Sequence, residues 1–330
     1  MAEYLTNTND LTLVANAIRT KGGTTELLTY PDEFVTAIQA IQTGTELKII
    51  VTVASGATVT ATKGSLSVSG SSVNGTCTLV IPEAGTWSVT ATLNGETSAT
   101  TNVSVKDSYA LTLNFLNDNF ADNDWSDIIA ACHSGSVPST WVVGNSKTMT
   151  INGASYQVDI IGKNHDTYTA GGTAPLTFQM HDCYADRKAM NSSNTNSGGW
   201  KNSAMRTTHL PAILALMPTE VQNGIREVSK KTSVGGASST IETVSDKLFL
   251  LSEVEIFGST RYSAAGEGTQ YDYYKAGNSK IKKRNGSAAG WWDRSPYASN
   301  SQYFCRVSDT GAASYNRASL DYGVAFGFCF

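Results

Sequence analysis

The residues best suited to gripping another molecule lie near the carboxyl end of the chain. Between Trp291 and Phe330 stand Trp291, Trp292, Tyr297, Tyr303, Phe304, Tyr315, Tyr322, Phe326, Phe328 and Phe330, interleaved with Ser299, Asn300, Ser301, Ser314, Asn316 and Ser319, although aromatic residues make up only 9% of the whole chain. Tyrosine brings a large contact area at little rotamer entropy, and serine and asparagine bring adaptable hydrogen bonding. The candidate ligand-binding residues are therefore Tyr297, Asn300, Tyr303, Ser314, Tyr315, Asn316, Arg317, Asp321 and Tyr322. The competing account makes them ordinary loop and strand residues on a surface that meets no ligand. Val324, Phe326, Phe328 and Phe330 alternate as in a strand facing a core and belong to the scaffold. Adjacent Trp291 and Trp292 on a strand point to opposite faces, which puts at least one of them in the core.

Other chemistry is less well supported. His165-Asp166 and His181-Asp182 pair imidazole with carboxylate, as a metal site would, but their spacing matches no zinc signature, and hydrogen-bonded structural histidines are the expectation. Glycoside cleavage needs two carboxyls held at a defined separation, and Asp246, Glu253 and Glu255 could supply them. On a strand Glu253 and Glu255 would share a face, with burial against backbone partners as the preferred account. No Glu-Pro-Asn or Trp-Asn-Asp calcium signature is present, so no metal or other cofactor is expected.

Composition narrows the class. The chain has 330 residues, 40% hydrophobic and 16% charged, with abundant small polar residues, which suits strand-rich domains with polar turns. A net charge of −4 and a single short basic cluster, Lys280, Lys282, Lys283 and Arg284, argue against nucleic acid as a partner. The polar start and the lack of any long apolar run point away from conventional export and membrane insertion. Five scattered cysteines, Cys77, Cys132, Cys183, Cys305 and Cys329, suit synthesis in a reducing cytosol. A protein made there and acting outside would leave by lysis.

The elements divide into three segments. Over residues 1–44, Leu11, Val14, Ala15 and Ile18 predict a short helix capped at Asn9 or Asp10 and closed by Lys21-Gly22-Gly23. Pro31 opens a second helix, with Phe34, Val35, Ile38 and Ile41 as its apolar stripe, ending near Gly44. Such short helices need a partner, which makes this an attachment module. Over residues 45–106 the period becomes two, at Val51, Val53, Val59, Ala61, Cys77, Leu79, Ile81, Trp87, Val89, Ala91 and Leu93, with Asn74-Gly75 and Asn94-Gly95 as hairpin turns. The stretch from Gly56 to Gly95 resembles small immunoglobulin-like or carboxypeptidase-regulatory-like sandwiches, which implies a spacer. Residues 107–330 form one larger α+β domain, with a helix from Trp125 to Cys132, a hairpin at Asn152-Gly153, a polar run from Met190 to Gly199, helical signals from Ser203 to Ile225 and a buried strand from Lys247 to Val254.

Four ordered motifs carry a resemblance: Gly199-Trp200-Lys201-Asn202-Ser203-Ala204-Met205-Arg206, Asp246 to Gly258, Trp291-Trp292-Asp293-Arg294-Ser295-Pro296, and Gly323-Val324-Ala325-Phe326. With them, residues 107–330 resemble the C-type-lectin-like domain of Firmicutes phage tail proteins, a domain of unknown function. Leu13 to Gly23 and Tyr30 to Ile38 are similar to the opening of many prophage tail proteins. The resemblance implies a multi-domain receptor-binding protein of a virion tail, non-enzymatic and homotrimeric, joined to other tail proteins through its N-terminal helices. Its partner would be a bacterial surface protein or glycan. Related lectin-like folds serve as targets of diversity-generating retroelements, and Tyr297 to Tyr322 is similar to their variable regions. Lectin domains also often pair cysteines, and the related formylglycine-generating fold uses them as nucleophiles. Cys305 and Cys329 could do either, with buried reduced thiols preferred. The alternatives are a surface-glycan hydrolase using Glu253 and Glu255, a thiol-dependent enzyme using Cys305 and Cys329, and a purely structural tail component.

Overall fold

The computed structural model describes residues 8–22, 27, 29, 32–40 and 46–330, except the side chains of some helical residues before residue 41. Helices span Thr8–Gly22 and Asp32–Ala40. Ala15, Ile18 and Phe34 bury together with Ala37 against them. Val14 and Val35, expected in the apolar stripes, are 49% and 54% exposed, because the small cluster closes around one narrow seam. Pro31, Ile41 and Gly44, and the side chains of Leu11 and Ile38, lie outside the described residues.

The chain forms two compact units, 1–94 with 102–113, and 95–101 with 114–330. The first holds two sheets. In one, Lys48–Thr52 is central, antiparallel to Thr76–Val80 and parallel to Ser108–Thr112, so this last strand falls in the first unit although it lies beyond residue 107. In the other, Thr58–Lys63 pairs with Leu66–Ser71 and with Gly85–Leu93, which also pairs with Thr101–Val105. Alternation decides the inner faces: Val51, Val59, Ala61, Trp87, Val89 and Ala91 are fully buried between exposed or half-exposed neighbours. A Cβ on Gly70 would come within 3.0 Å of Leu79 and 3.1 Å of Cys77, so the sheets meet face to face here with no room for a side chain. Asn74-Gly75, at φ 51° and 82°, supplies the left-handed pair that a two-residue hairpin turn requires.

The second unit has one contiguous core. Its main sheet runs in the order Gly327–Cys329, Leu176–Met180, Ala154–Lys163, Ser146–Ile151, all antiparallel. The aromatic tail packs in: Phe326, Phe328 and Phe330 are fully buried, and Phe178 lies 5.3 Å from Phe328 and 5.4 Å from Phe330. Each such ring contributes roughly 1.5–3 kcal/mol by leaving water. Gly327 exchanges backbone hydrogen bonds with Phe249, and a Cβ there would strike the Phe178 carbonyl and the Phe249 ring at 2.9 Å. A helix, Trp125–Ser134, ends at left-handed Gly135. Val228–Ser233 pairs with Ile241–Asp246. A three-stranded sheet follows, Trp291–Pro296, Tyr303–Val307 and Ala313–Arg317, preceded by a hairpin turning at Asn285-Gly286, directly after the basic cluster.

One sequence expectation changes. Lys247 to Val254 is not one strand: Leu248 to Leu251 is buried chain in which Phe249 alone bridges to Gly327, and a helix starts at Glu253 and runs to Phe257. Ser252 accepts from the Glu255 amide while Glu255 accepts from the Ser252 amide, a reciprocal cap that starts the helix. Both Trp291 and Trp292 are buried, their indole N–H groups donating to the carbonyls of Lys280 and Lys188.

Candidate binding surface

Through the strand that leads into Tyr297 and the helix that carries Glu253 runs a floor of buried charge. Arg294, fully buried, donates to both oxygens of Glu255 at 2.5 and 2.8 Å and to the carbonyls of Leu250, Lys231 and Glu267. Glu255 also meets Lys230 at 2.8 Å, and Lys230 in turn meets Asp166 at 2.8 Å and the Tyr271 hydroxyl at 2.9 Å. Burial alone would raise the Asp166 carboxyl, but the Lys230 charge, with hydrogen bonds from Lys230 and Thr177, outweighs it and holds the group down at about 2. Burial opposes the Glu255 charge too, and Arg294 and Lys230 outweigh it, lowering that carboxyl. Removing one member would strand a buried charge, a change far costlier than loss of a surface pair.

Two side chains pin the loops above this floor. At the first turn of its helix, Glu253 accepts from the backbone amides of Arg261, Tyr262 and Ser263 at 3.0, 2.9 and 2.8 Å, and from the Ser263 hydroxyl at 2.8 Å. Asn196, fully buried, donates to the carbonyls of Asn300 and Tyr303 at 2.9 and 2.7 Å, while its own amide donates to the Ser301 carbonyl at 2.6 Å. One loop is thus held through its amides by an acid, the other through its carbonyls by an amide.

On these loops and the adjoining strands Tyr303–Val307 and Ala313–Arg317, four tyrosines form a row. Tyr297 stacks on Tyr315 at 4.5 Å and 16°, Tyr262 meets Tyr315 edge-on at 4.9 Å, and Tyr303 lies 5.4 Å from Tyr315. Tyr315 is 38% exposed and the other three are half-buried. None of the four hydroxyls makes a hydrogen bond among the described residues. Arg317 stands directly opposite Tyr303 in the strand register and so shares its face, and the Arg261 guanidinium lies 5.3 Å from the Tyr262 ring centre.

The remaining sequence-predicted residues fall elsewhere. Ser314 and Asn316 alternate with Tyr315 and point to the other face of the hairpin. There Asn316 donates to the Tyr322 hydroxyl at 2.5 Å, Trp292 meets the Tyr322 ring edge-on at 4.9 Å, and the Arg306 guanidinium lies 4.5 Å from it. Asn300 turns the loop between Tyr297 and Tyr303, its side chain accepting from the Gln302 amide. Asp321 is exposed, one residue before Tyr322. The set expected to act together is therefore two groups on opposite faces. Tyr262 and Arg261 were not among the expected residues, although Tyr262 stands among Ser259, Thr260 and Ser263, the same mixture that marked the later loops.

The other candidate chemistry resolves into structural roles. Glu253 and Glu255 sit on a helix rather than a strand, and two residues apart they point different ways, one to backbone amides and the other to Lys230 and Arg294. Asp246 accepts from the Trp200 indole at 2.7 Å and pairs with Arg206 at 2.5 Å. His181 bonds Asp159 at 2.7 Å, which raises its pKa, and the His165 ring stacks on Tyr271 at 4.0 Å. All five cysteines are buried and unpaired, and burial pushes the Cys305 and Cys329 thiols well up. Among the described residues no group of three or more histidine, cysteine, aspartate or glutamate side chains is arranged to hold a metal ion.

Residues 176–329 match a family model described as Domain of unknown function (DUF6273). This stretch contains the whole tyrosine row together with Asn196 and Glu253. No curated protein matches the chain. Among solved structures, a DUF4876 family protein from Bacteroides thetaiotaomicron VPI-5482 is similar at 10% identity and a TM-score of 0.16, over 46% of this chain and 37% of that chain. The chain thus spans well under two thirds of that protein's length, and the likeness is too slight to define a fold.

Proposed function

We propose that this chain is a non-enzymatic receptor-binding protein of a phage tail or tail-like particle. In this reading the N-terminal helices attach it to other tail proteins, the first β unit is an immunoglobulin-like spacer, and the second unit is a C-type-lectin-like domain that meets a bacterial surface. The observation that carries it is the row of Tyr262, Tyr297, Tyr303 and Tyr315, whose hydroxyls are uncommitted while buried groups pin the loops at Tyr262 and between Tyr297 and Tyr303, and a strand holds Tyr315. A rigid, amphipathic, aromatic patch binds at small entropic cost, because little is left to order on contact. Display in several copies, as homotrimers on one particle, would turn modest single-site affinity into firm attachment. The buried carboxylate of Glu255 is paired with Lys230 and Arg294, and that of Glu253 is taken up by backbone amides, so both suit a scaffold better than a catalytic centre.

The test is adsorption of the labelled full chain to a panel of Gram-positive cells. Replacing Tyr262, Tyr297, Tyr303 and Tyr315 with phenylalanine, which keeps the rings packed, should reduce adsorption to an adsorbing strain at least tenfold with thermal unfolding unchanged. Adsorption equal to the parent chain would remove the row from the binding role.

A further inference from the structure

The row offers more than contact area, because its two ends carry unpaired positive charge. Arg261 lies over Tyr262 and Arg317 stands across the register from Tyr303, both are exposed, and neither has a carboxylate partner among the described residues. Arg206 and Arg294, by contrast, are each matched to an acid. Glu253 lies under one end of the row, but its buried carboxylate accepts from the backbone amides of Arg261, Tyr262 and Ser263 and forms an ion pair with neither guanidinium. A guanidinium laid on an aromatic ring keeps its N–H groups free for a fork-shaped contact with phosphate or carboxylate.

The packing of the rings decides what kind of molecule fits. Tyr297 and Tyr315 cover one face of each other at 4.5 Å and 16°, and Tyr262 stands edge-on to Tyr315, so the patch gives up to its own rings part of the flat surface on which a neutral sugar or a nucleobase would stack. What it presents is phenol hydroxyls and ring edges between two guanidinium groups, a donor-rich strip. The net charge of −4 on the whole chain opposes an anion only weakly at this site, since exposed charges are screened beyond about 8 Å at physiological ionic strength.

Resting on the binding role proposed above, we infer that the row takes an anionic surface polymer, a chain of polyols or sugars bearing phosphate or carboxylate groups, and that Arg261 and Arg317 provide its charge selectivity. Binding of the full chain to poly(glycerol phosphate), to polygalacturonate and to neutral dextran tests this, with the first two separating a phosphate from a carboxylate ligand. The expected result is binding to at least one anionic polymer, none to dextran, and a loss of about tenfold or more in affinity on raising the salt from low to several-fold physiological strength. Arg261→Gln with Arg317→Gln should weaken binding by about tenfold or more with unchanged thermal unfolding. Binding to neither anionic polymer, equal binding to dextran, or full affinity in the double variant would overturn the inference. If the double variant adsorbs to cells like the parent while the phenylalanine variant does not, the anionic ligand is wrong and the adhesin survives. If the parent adsorbs to no cell, the adhesin reading itself fails.

Discussion

Tyr315 and Tyr322 carry the same side chain, within a few residues of one another, on opposite faces of one small sheet. The Tyr322 hydroxyl accepts from Asn316 and its ring sits between Trp292 and Arg306. The aromatic contacts of Tyr315 are all with other tyrosines, and its hydroxyl bonds nothing among the described residues. The Tyr322 hydroxyl already accepts a bond within the fold, and the Tyr315 hydroxyl still has its whole polar capacity to offer. Composition, which is the same on both, cannot separate them; hydrogen-bond occupancy can.

Perturbing what lies beneath should affect both faces, and perturbing each face should separate them. The largest effect is expected from Arg294→Leu, which leaves Glu255 buried with one cation fewer and should destabilise the second unit by about 3–5 kcal/mol in chemical denaturation of the full chain. Asn196→Ala removes the donor to two loop carbonyls and should cost about 2–3 kcal/mol. Amide exchange should then speed at Tyr297 and Tyr303 but not at Tyr322; uniform change would mean the loop is not held separately. Asp166 tests the floor by pH. Its carboxyl is depressed from 3.8 to about 2 in the folded state, so its contribution is present above about pH 4 and is lost as pH falls toward 2, by about 2 kcal/mol in all. Asp166→Asn should flatten the stability profile over that window. The smallest and sharpest contrast is between Tyr322→Phe, expected to cost about 1 kcal/mol, and Tyr315→Phe, expected to stay within about 0.5 kcal/mol. Equal costs would erase the distinction between the faces.

The sequence revealed the scaffold better than the site, and particular residues show why. Alternation exposed the inner faces at Val59, Ala61, Trp87 and Val89, because burial on one side of a strand imposes a period of two. The tail from Val324 to Phe330 was legible for the same reason. The helix at Glu253 was obscured by the apolar run Leu248 to Leu251 ahead of it, although Ser252 followed by Glu255 spells a capping box. Asn285-Gly286 is an ordinary hairpin signal masked by the basic cluster that ends at Arg284 just before it. Within the site, Tyr297, Tyr303, Tyr315 and Arg317 do come together, but their separation from Asn316 and Tyr322 depended on strand register. Asn196 carried no signal, being one of several asparagines in a polar run, and only its burial against two backbone segments, the 300–303 loop and Gly236, sets it apart.

The five unpaired thiols give the molecule an indifference to its surroundings. No covalent bridge has to form for it to mature and none is present to be reduced, so the same covalent structure persists in a reductant-rich cell and in aerated fluid. With each sulfur sealed from solvent and Cys132, Cys183, Cys305 and Cys329 held strongly in the protonated form, oxidants and alkylating agents find little thiolate to attack until the fold opens.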